Sequence, residues 1–253
     1  MYLKTKGLIL RETAYNDADK LLTALTEDYG KMTLRGRGVR RSKSLMKPAC
    51  QLLAYSEFTL FEYRNQTTIQ EAQSLQLFPG LRADLELLSL GSYFAQVTEA
   101  VSQEDCPNPE LLSLILNALY ALSTLGKPQG VVKAAFELRL SCLAGYTPDL
   151  AGCAVCGASW PDRFDLSMGT LVCSGCRMPS EGIRMPVAPG VLDAMRYIAG
   201  CDGKRLFSFV LSAEALRQLN SITESYLATQ LERSFSTLDF YKGLLLPMGA
   251  KDT

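Results

Sequence analysis

The chain has 253 residues, 47% apolar and 21% charged, with 26 cations set against 26 carboxylates, a mixture that suits one large or two ordinary globular domains with a real core. It contains no histidine, which removes the commonest general base and every catalytic triad built on imidazole, so a non-enzymatic role is expected. Residues 1–6 lack the apolar stretch of a secretory signal and no run approaches the length of a membrane span. Cys50, Cys106, Cys142 and Cys201 are scattered without a disulfide framework. Both features predict a cytoplasmic location in a reducing compartment.

The first eighty residues read as short strands. Residues 3–10 alternate loosely, Asn16-Asp17 breaks the pattern before 21–26, and Tyr29-Gly30 turns into 31–39. A polar connection over 40–48 leads to 52–63, and Arg64-Asn65-Gln66 turns into 67–75. Five short strands in this space predict a small Greek-key barrel of the OB type. Charge is divided as well. Residues 1–80 hold twelve cations and eight carboxylates, leaving fourteen and eighteen for the rest, as expected of a polyanion-binding module joined to a neutral scaffold.

Pro79-Gly80 closes the strand pattern, and a helical period begins at Leu81. Asn108 can cap a helix with Pro109 in its first turn, running over 111–125. Further helices are predicted over 131–143, 191–199 and, capped by Ser212, 213–233. The expected fold is therefore α+β and multidomain. An OB-fold nucleic-acid-binding domain over 1–80 precedes an all-α domain over 81–253, with a metal module inserted at about 149–186.

That module carries the most specific motif in the chain. Cys153-Ala-Val-Cys156 and Cys173-Ser-Gly-Cys176 have the paired-knuckle spacing of a four-thiolate site. Two residues between thiolates let one tight turn present both sulfurs, and two such turns complete a tetrahedron that leaves no place for water. A closed site does not activate substrate, so one structural zinc is expected, with iron as the rival ion. Between the knuckles, Phe164 and Leu166, then Leu171 and Val172, flank a glycine turn and predict a hairpin. Only Arg163 and Arg177 lie near it, too few to read nucleic acid.

The strongest candidate for binding is the run from Lys31 to Lys47, with Lys31, Arg35, Arg37, Arg40, Arg41, Lys43 and Lys47 and no carboxylate. Alternation places Lys31, Thr33, Arg35 and Arg37 on one face of the third strand, opposite Met32 and Leu34. A merely solvated face would intersperse acids to limit repulsion, so the run predicts phosphate binding. Phe61 and Tyr63 could stack on bases, but they are expected to pack in the core. Asp17 with Asp19, or Glu27 with Asp28, could hold magnesium, yet acids beside turns are ordinarily just solvated. No phosphate loop follows any Gly-Lys pair.

Several segments in order resemble the RecO family of bacterial recombination mediators. They include Lys6-Gly7-Leu8-Ile9-Leu10-Arg11, the stretch from Asp17 to Thr26, Gly30-Lys31, Arg37-Gly38-Val39-Arg40-Arg41-Ser42-Lys43-Ser44, Phe78-Pro79-Gly80-Leu81-Arg82, Phe136-Glu137-Leu138-Arg139-Leu140, Gly145-Tyr146-Thr147-Pro148 and the four cysteines. The resemblance implies an N-terminal OB fold, a helical domain carrying a zinc module, and DNA repair without catalysis. It implies binding to single- and double-stranded DNA, strand annealing, and cooperation with RecR in loading RecA onto strands covered by single-strand binding protein. Carried over by motif, Arg35, Arg37, Arg40, Arg41 and Lys43 become DNA contacts and Cys153, Cys156, Cys173 and Cys176 the metal ligands.

Some family members also dock the acidic tail of single-strand binding protein. For that tail, Phe136 and Leu140 with Lys133 and Arg139 at their edges are a candidate surface. Two other readings remain, an RNA-binding zinc-ribbon protein and a nucleic-acid-processing enzyme using carboxylates.

Overall fold

The computed structural model describes residues 1–64, 66–177 and 182–245. Five strands, β1 (Tyr2–Ala14), β2 (Lys20–Thr26), β3 (Gly30–Gly36), β4 (Tyr55–Tyr63) and β5 (Gln66–Gln76), close a barrel in the order β1-β2-β3-β5-β4. Every neighbouring pair is antiparallel except β3 and β5, which run parallel through Leu34 to Thr67 and Arg35 to Thr68. This is the five-stranded OB-type barrel that the strand spacing predicts. Its interior is filled by Leu3, Ile9, Leu22, Leu34, Phe58, Leu60 and Ile69, joined by Val39 and Cys50 from the connection between β3 and β4.

Gly7 to Leu10 of β1 are buried without alternation. Ile9 joins the barrel core, while β1 also packs against helix α2, so both faces of this stretch are covered. A continuous apolar run is what a strand covered on both sides requires. Helices α1 (Pro79–Arg82), α2 (Leu85–Val101) and α3 (Pro109–Ser123) follow, and Asn108 caps α3 by accepting from the Leu111 amide, as its sequence position predicts. Gly91 lets α2 approach closely, since a Cβ there would stand 2.9 Å from the Leu53 side chain. Arg11 of β1 reaches Glu99 of α2 at 2.9 Å, and α2 in turn packs on the C-terminal helix.

The change of period at Gly80 is a change of secondary structure, and contacts group the chain differently. Met1–Leu125 and the chain from Phe235 onward form one compact unit, and Gly126–Ser234 forms the other. The second unit contains α4 (Gln129–Leu143), β6 (Asp149–Cys153), β7 (Arg163–Asp165), β8 (Thr170–Val172), β9 (Arg184–Pro186), α5 (Pro189–Gly200) and α6 (Ala213–Leu231). The last helix, α7 (Ser236–Leu245), belongs to the first unit and escaped the sequence reading. Of its apolar residues, Leu238 and Tyr241 are buried.

In the second unit, Phe136, Leu138 and Leu140 of α4 are fully buried, as are Leu219 and Ile222 of α6 and Met195 and Ile198 of α5. Ser212 caps α6 as predicted, accepting from the Ala215 amide. Within this core Lys133 is only 4% exposed, with its ammonium 2.8 Å from Glu137 and 2.9 Å from Glu224. Burial is the largest influence on that ammonium and opposes its charge, but the two carboxylates together outweigh it and raise its pKa. Thr223 completes the cluster by donating to Glu137 at 2.7 Å.

Replacing Lys133 with Met leaves the fully buried Glu137 carboxylate uncompensated, and equilibrium urea unfolding of the full chain should show a loss of about 3 kcal/mol. Glu224→Gln, at a quarter-exposed side chain, should cost less. Because the lysine pKa is raised on folding, this contribution is complete below pH ~10.5 and fades as the pH climbs through the folded value.

Candidate nucleic-acid interface and metal module

The strand β3 ends at Gly36, three residues before the sequence reading ends it. Gly38 adopts φ 67° and turns the chain inward so that Val39 enters the barrel core. The Arg40 amide then donates to the Ala18 carbonyl at 2.9 Å. From there to β4 the connection is a succession of tight turns, with Arg41 donating to Gly38, Ser44 to Arg41 and Cys50 to Met46. Val39, Ala49, Cys50 and Leu53 are buried, and Arg37, Arg40, Arg41, Lys43 and Lys47 are exposed. Apolar anchors at both ends thus hold a loop whose cations face solvent.

The predicted cations do not form one set. Arg35 is half-buried, bound to Asp19 at 2.9 Å and lying over the Tyr15 ring at 5.0 Å. Its charge is spent within the fold. Lys31 stands at the other end of β3, roughly 17 Å from Gly36 at the rise of a strand, and its ammonium reaches the Glu99 carbonyl at 3.4 Å. Arg40 donates to the carbonyl of Asn16, which leaves its charge uncompensated. Among the described residues no carboxylate pairs with Arg37, Arg40, Arg41, Lys43 or Lys47.

Asp19 was overlooked as a positioning residue, and it organises this end of the barrel. Its carboxylate accepts from the Gly38 amide at 2.9 Å and from Arg35, while Asn16 caps the turn by accepting from the Asp19 amide at 2.7 Å. The Gly38 amide first, and then the Arg35 guanidinium, hold the Asp19 carboxyl down at about 2. The Asn-x-x-Asp pattern of 16–19 was the available signal, since Asx residues at this spacing favour local turns. Glu27 and Asp28 are engaged as well. The Tyr55 hydroxyl donates to Glu27, and Thr5 donates to Asp28 at 2.7 Å.

Phe61 and Tyr63 do not pack in the core. Phe58 and Leu60 take the inward positions, which by alternation turns Phe61 and Tyr63 outward, and Tyr63 is 59% exposed. With Arg37, Gln66, Thr68 and Gln70 they line a cavity of about 120 Å³ on the barrel surface.

The expected tail-docking surface is overturned. Phe136 and Leu140 are fully buried, Lys133 is consumed by Glu137 and Glu224, and Arg139 donates to the carbonyls of Ala199 and Cys201. Helix α4 is covered by α5 and α6, so the four-residue spacing of Phe136 and Leu140 marks a core stripe.

The four cysteines do come together. β6, β8, β7 and β9 form a small sheet in that order, with β7 and β8 making the predicted hairpin across Gly169 at φ 63°. The sulfurs of Cys153, Cys156, Cys173 and Cys176 lie within 4.8 Å of one another, and Cys156 and Cys173 are 3.8 Å apart. A tetrahedron with metal–sulfur bonds of about 2.3 Å has edges of about 3.8 Å, so the cage fits one metal ion.

Backbone amides, that of Cys156 foremost, bring the Cys153 thiol down to about 6, whereas Cys173 is pushed up to about 12, first by desolvation and then by its sulfur neighbours. Four thiolates at this distance require a cation to be stable together. The cage is fastened to the helices of its unit by Arg196, which donates to the Leu150, Ala151 and Ser159 carbonyls, and by Gln230, which donates to Leu166.

The architecture is a barrel of OB type bearing a basic loop, with a four-cysteine module among helices whose geometry fits one metal ion. Residues 1–78 match the family model for the N-terminal domain of recombination protein O, and residues 82–239 match that for its C-terminal domain. The chain is similar to the "DNA repair protein RecO" of Acetivibrio thermocellus, 32% identical over 245 residues and covering 96% of this chain and 97% of that protein. The like-named protein of Desulforudis audaxviator is 31% identical over 241 residues, covering 94% and 96%. That of Rubrobacter xylanophilus is 32% identical over 219 residues, covering 85% and 88%. The chain belongs to the RecO family.

Two outcomes test these sites. Cys153→Ser should abolish the binding of one equivalent of metal, measured by elemental analysis, and lower the melting temperature of the full chain; unchanged metal content and melting would exclude the staple. Asp19→Asn should lower thermal stability near neutral pH. A carboxyl whose pKa falls from 3.8 to about 2 on folding stabilises above pH ~4, so the gap between variant and parent should close as the pH drops toward 2 in a series of melts.

Proposed function

We propose that the chain is a DNA-binding recombination mediator that holds single and double strands by their phosphates. In this reading it promotes annealing of complementary strands and, with RecR, assists loading of RecA onto strands covered by single-strand binding protein. It acts in the cytoplasm at the nucleoid, and it performs no chemical step. The observation that carries the reading is the exposed loop on which Arg37, Arg40, Arg41, Lys43 and Lys47 lack any carboxylate partner among the described residues. An uncompensated cluster of this kind raises local anion concentration and contacts phosphates without regard to sequence. Arg35 then serves to position the loop through Asp19, and Lys31 stands outside the contact set.

Family membership supports the DNA-repair assignment, since the relatives are named for DNA repair. The four-cysteine cage holds a single zinc ion whose work is structural, because all four coordination positions are filled by thiolates. Zinc favours such sites for its indifference to geometry and its affinity for thiolate.

If the five free cations each contact a phosphate, log affinity for a single strand should fall with log salt at a slope of about −3.5. Changing Arg40 and Arg41 together to Glu should weaken all sequences alike and make the slope shallower by more than about one unit, as read by fluorescence anisotropy in a salt titration. The control is Lys204→Glu with Arg205→Glu, an equal charge change on an exposed turn of the other unit. Equal weakening by both pairs would show an effect of net charge and exclude the loop as the site.

A further inference from the structure

We infer that the cavity between Arg37 and the β4–β5 pair seats one unpaired nucleobase of a single DNA strand, an inference that rests on the basic loop holding the DNA backbone. The cavity of about 120 Å³ is several times the space one water needs and is large enough to admit one planar ring. Phe61 and Tyr63 stand across from Thr68 and Gln66 in the register of β4 and β5, so two aromatics and two polar side chains face one notch.

Both rings are braced from outside it. Tyr2 lies 5.1 Å from Phe61, and the Arg64 guanidinium covers Tyr63 at 5.1 Å. Such bracing limits the rotamer freedom that stacking would otherwise have to remove. Among the described residues, the Arg37 guanidinium and the amides of Gln66 and Gln70 have no hydrogen-bonding partner.

This combination selects its occupant. An apolar peptide side chain would fill the ring space but leave two amides and a guanidinium unanswered. A lone phosphate would satisfy Arg37 and make no use of the aromatics. A base with its attached phosphate uses all of them: the ring stacks on Phe61 or Tyr63, its edge meets the glutamine amides, and the phosphate meets Arg37. A paired base reaches the notch only by leaving its duplex, which costs a few kcal/mol. The notch therefore distinguishes single strands from duplexes, while the loop cations bind both.

The test uses the full chain, a thymidine oligonucleotide carrying one 2-aminopurine, and the same strand annealed to its complement. Tyr63 is exposed, so Tyr63→Ala should leave melting unchanged. It should lower single-strand affinity by about tenfold or more, abolish the stacking-dependent quench of the 2-aminopurine, and leave duplex affinity and salt slope within about twofold of the parent. Tyr63→Phe should behave as the parent. Undiminished single-strand affinity, an equal loss on both DNA forms, or absence of quenching with the parent chain would each overturn the base seat while leaving phosphate binding by the loop intact. A parent chain that binds neither form would overturn both readings.

Discussion

Closure of the barrel between β3 and β5 is the constraint on which the candidate interface depends. Among the described residues two pairs join these strands, Leu34 with Thr67 and Arg35 with Thr68, and the pairing is parallel. Parallel ladders are somewhat weaker per residue than antiparallel ones. So short a seam needs help from side chains, and Leu34 supplies it from inside the barrel while Arg35 supplies it outside through Asp19 and Tyr15. By parallel register, two residues beyond Arg35 lies Arg37 and two beyond Thr68 lies Gln70, which places a guanidinium beside the outward aromatics of β4. The seam, the Asp19 latch and the Val39 plug together decide where the basic loop starts.

Most of the fold was legible because it rests on periodicity and caps. The five strands, the capped helices α3 and α6 and the hairpin between the knuckles all follow from local patterns whose physical meaning is settled within a few residues. Helix α7 was not legible, since its segment is short, carries Gly243 in its interior and packs on α2, which is distant in sequence. The end of β3 was misjudged for a related reason. Val39 shares the parity of Arg35 and Arg37, so alternation breaks there, and Gly38 makes the turn that brings Val39 into the barrel core from the connection rather than from the strand.

The gathering of the four cysteines was fully legible, and the candidate basic surface only in part. Thiolate spacing is nearly self-sufficient, because two-residue turns force the sulfurs together whatever surrounds them. Charge is different. Arg35 and Arg37 are two residues apart in one carboxylate-free run, but Asp19, just ahead of β2, neutralises one and not the other. Phe61 and Tyr63 share the same ambiguity, since alternation defines two faces without saying which is inside. Lys133 and Arg139 show the reverse error: cations flanking an apolar pair on α4 suggested a surface, when Glu137, Glu224 and two carbonyls had drawn them into the core.

The metal module also has a mechanical role that follows from how it is attached. Its hairpin sets Phe164 edge-on to Tyr226 at 5.2 Å, and the Tyr226 hydroxyl donates to the Tyr146 carbonyl at 3.0 Å. A side chain at Gly169 would collide with that hydroxyl, so the hairpin turn and α6 approach without a gap. Arg184 of β9 reaches the buried Asp165 at 3.1 Å, and Asp165 in turn accepts from the Ser167 and Met168 amides that shape the turn. A sheet with strands of three to five residues buries too little surface to stand alone. The helices hold the turn end, Asp165 ties β9 to the turn, and a metal held by the four cysteines would close the knuckle end. Loss of the ion should therefore loosen the module from its knuckles toward α6, not release it as a unit, because the turn keeps its own hydrogen bonds when the thiolates part.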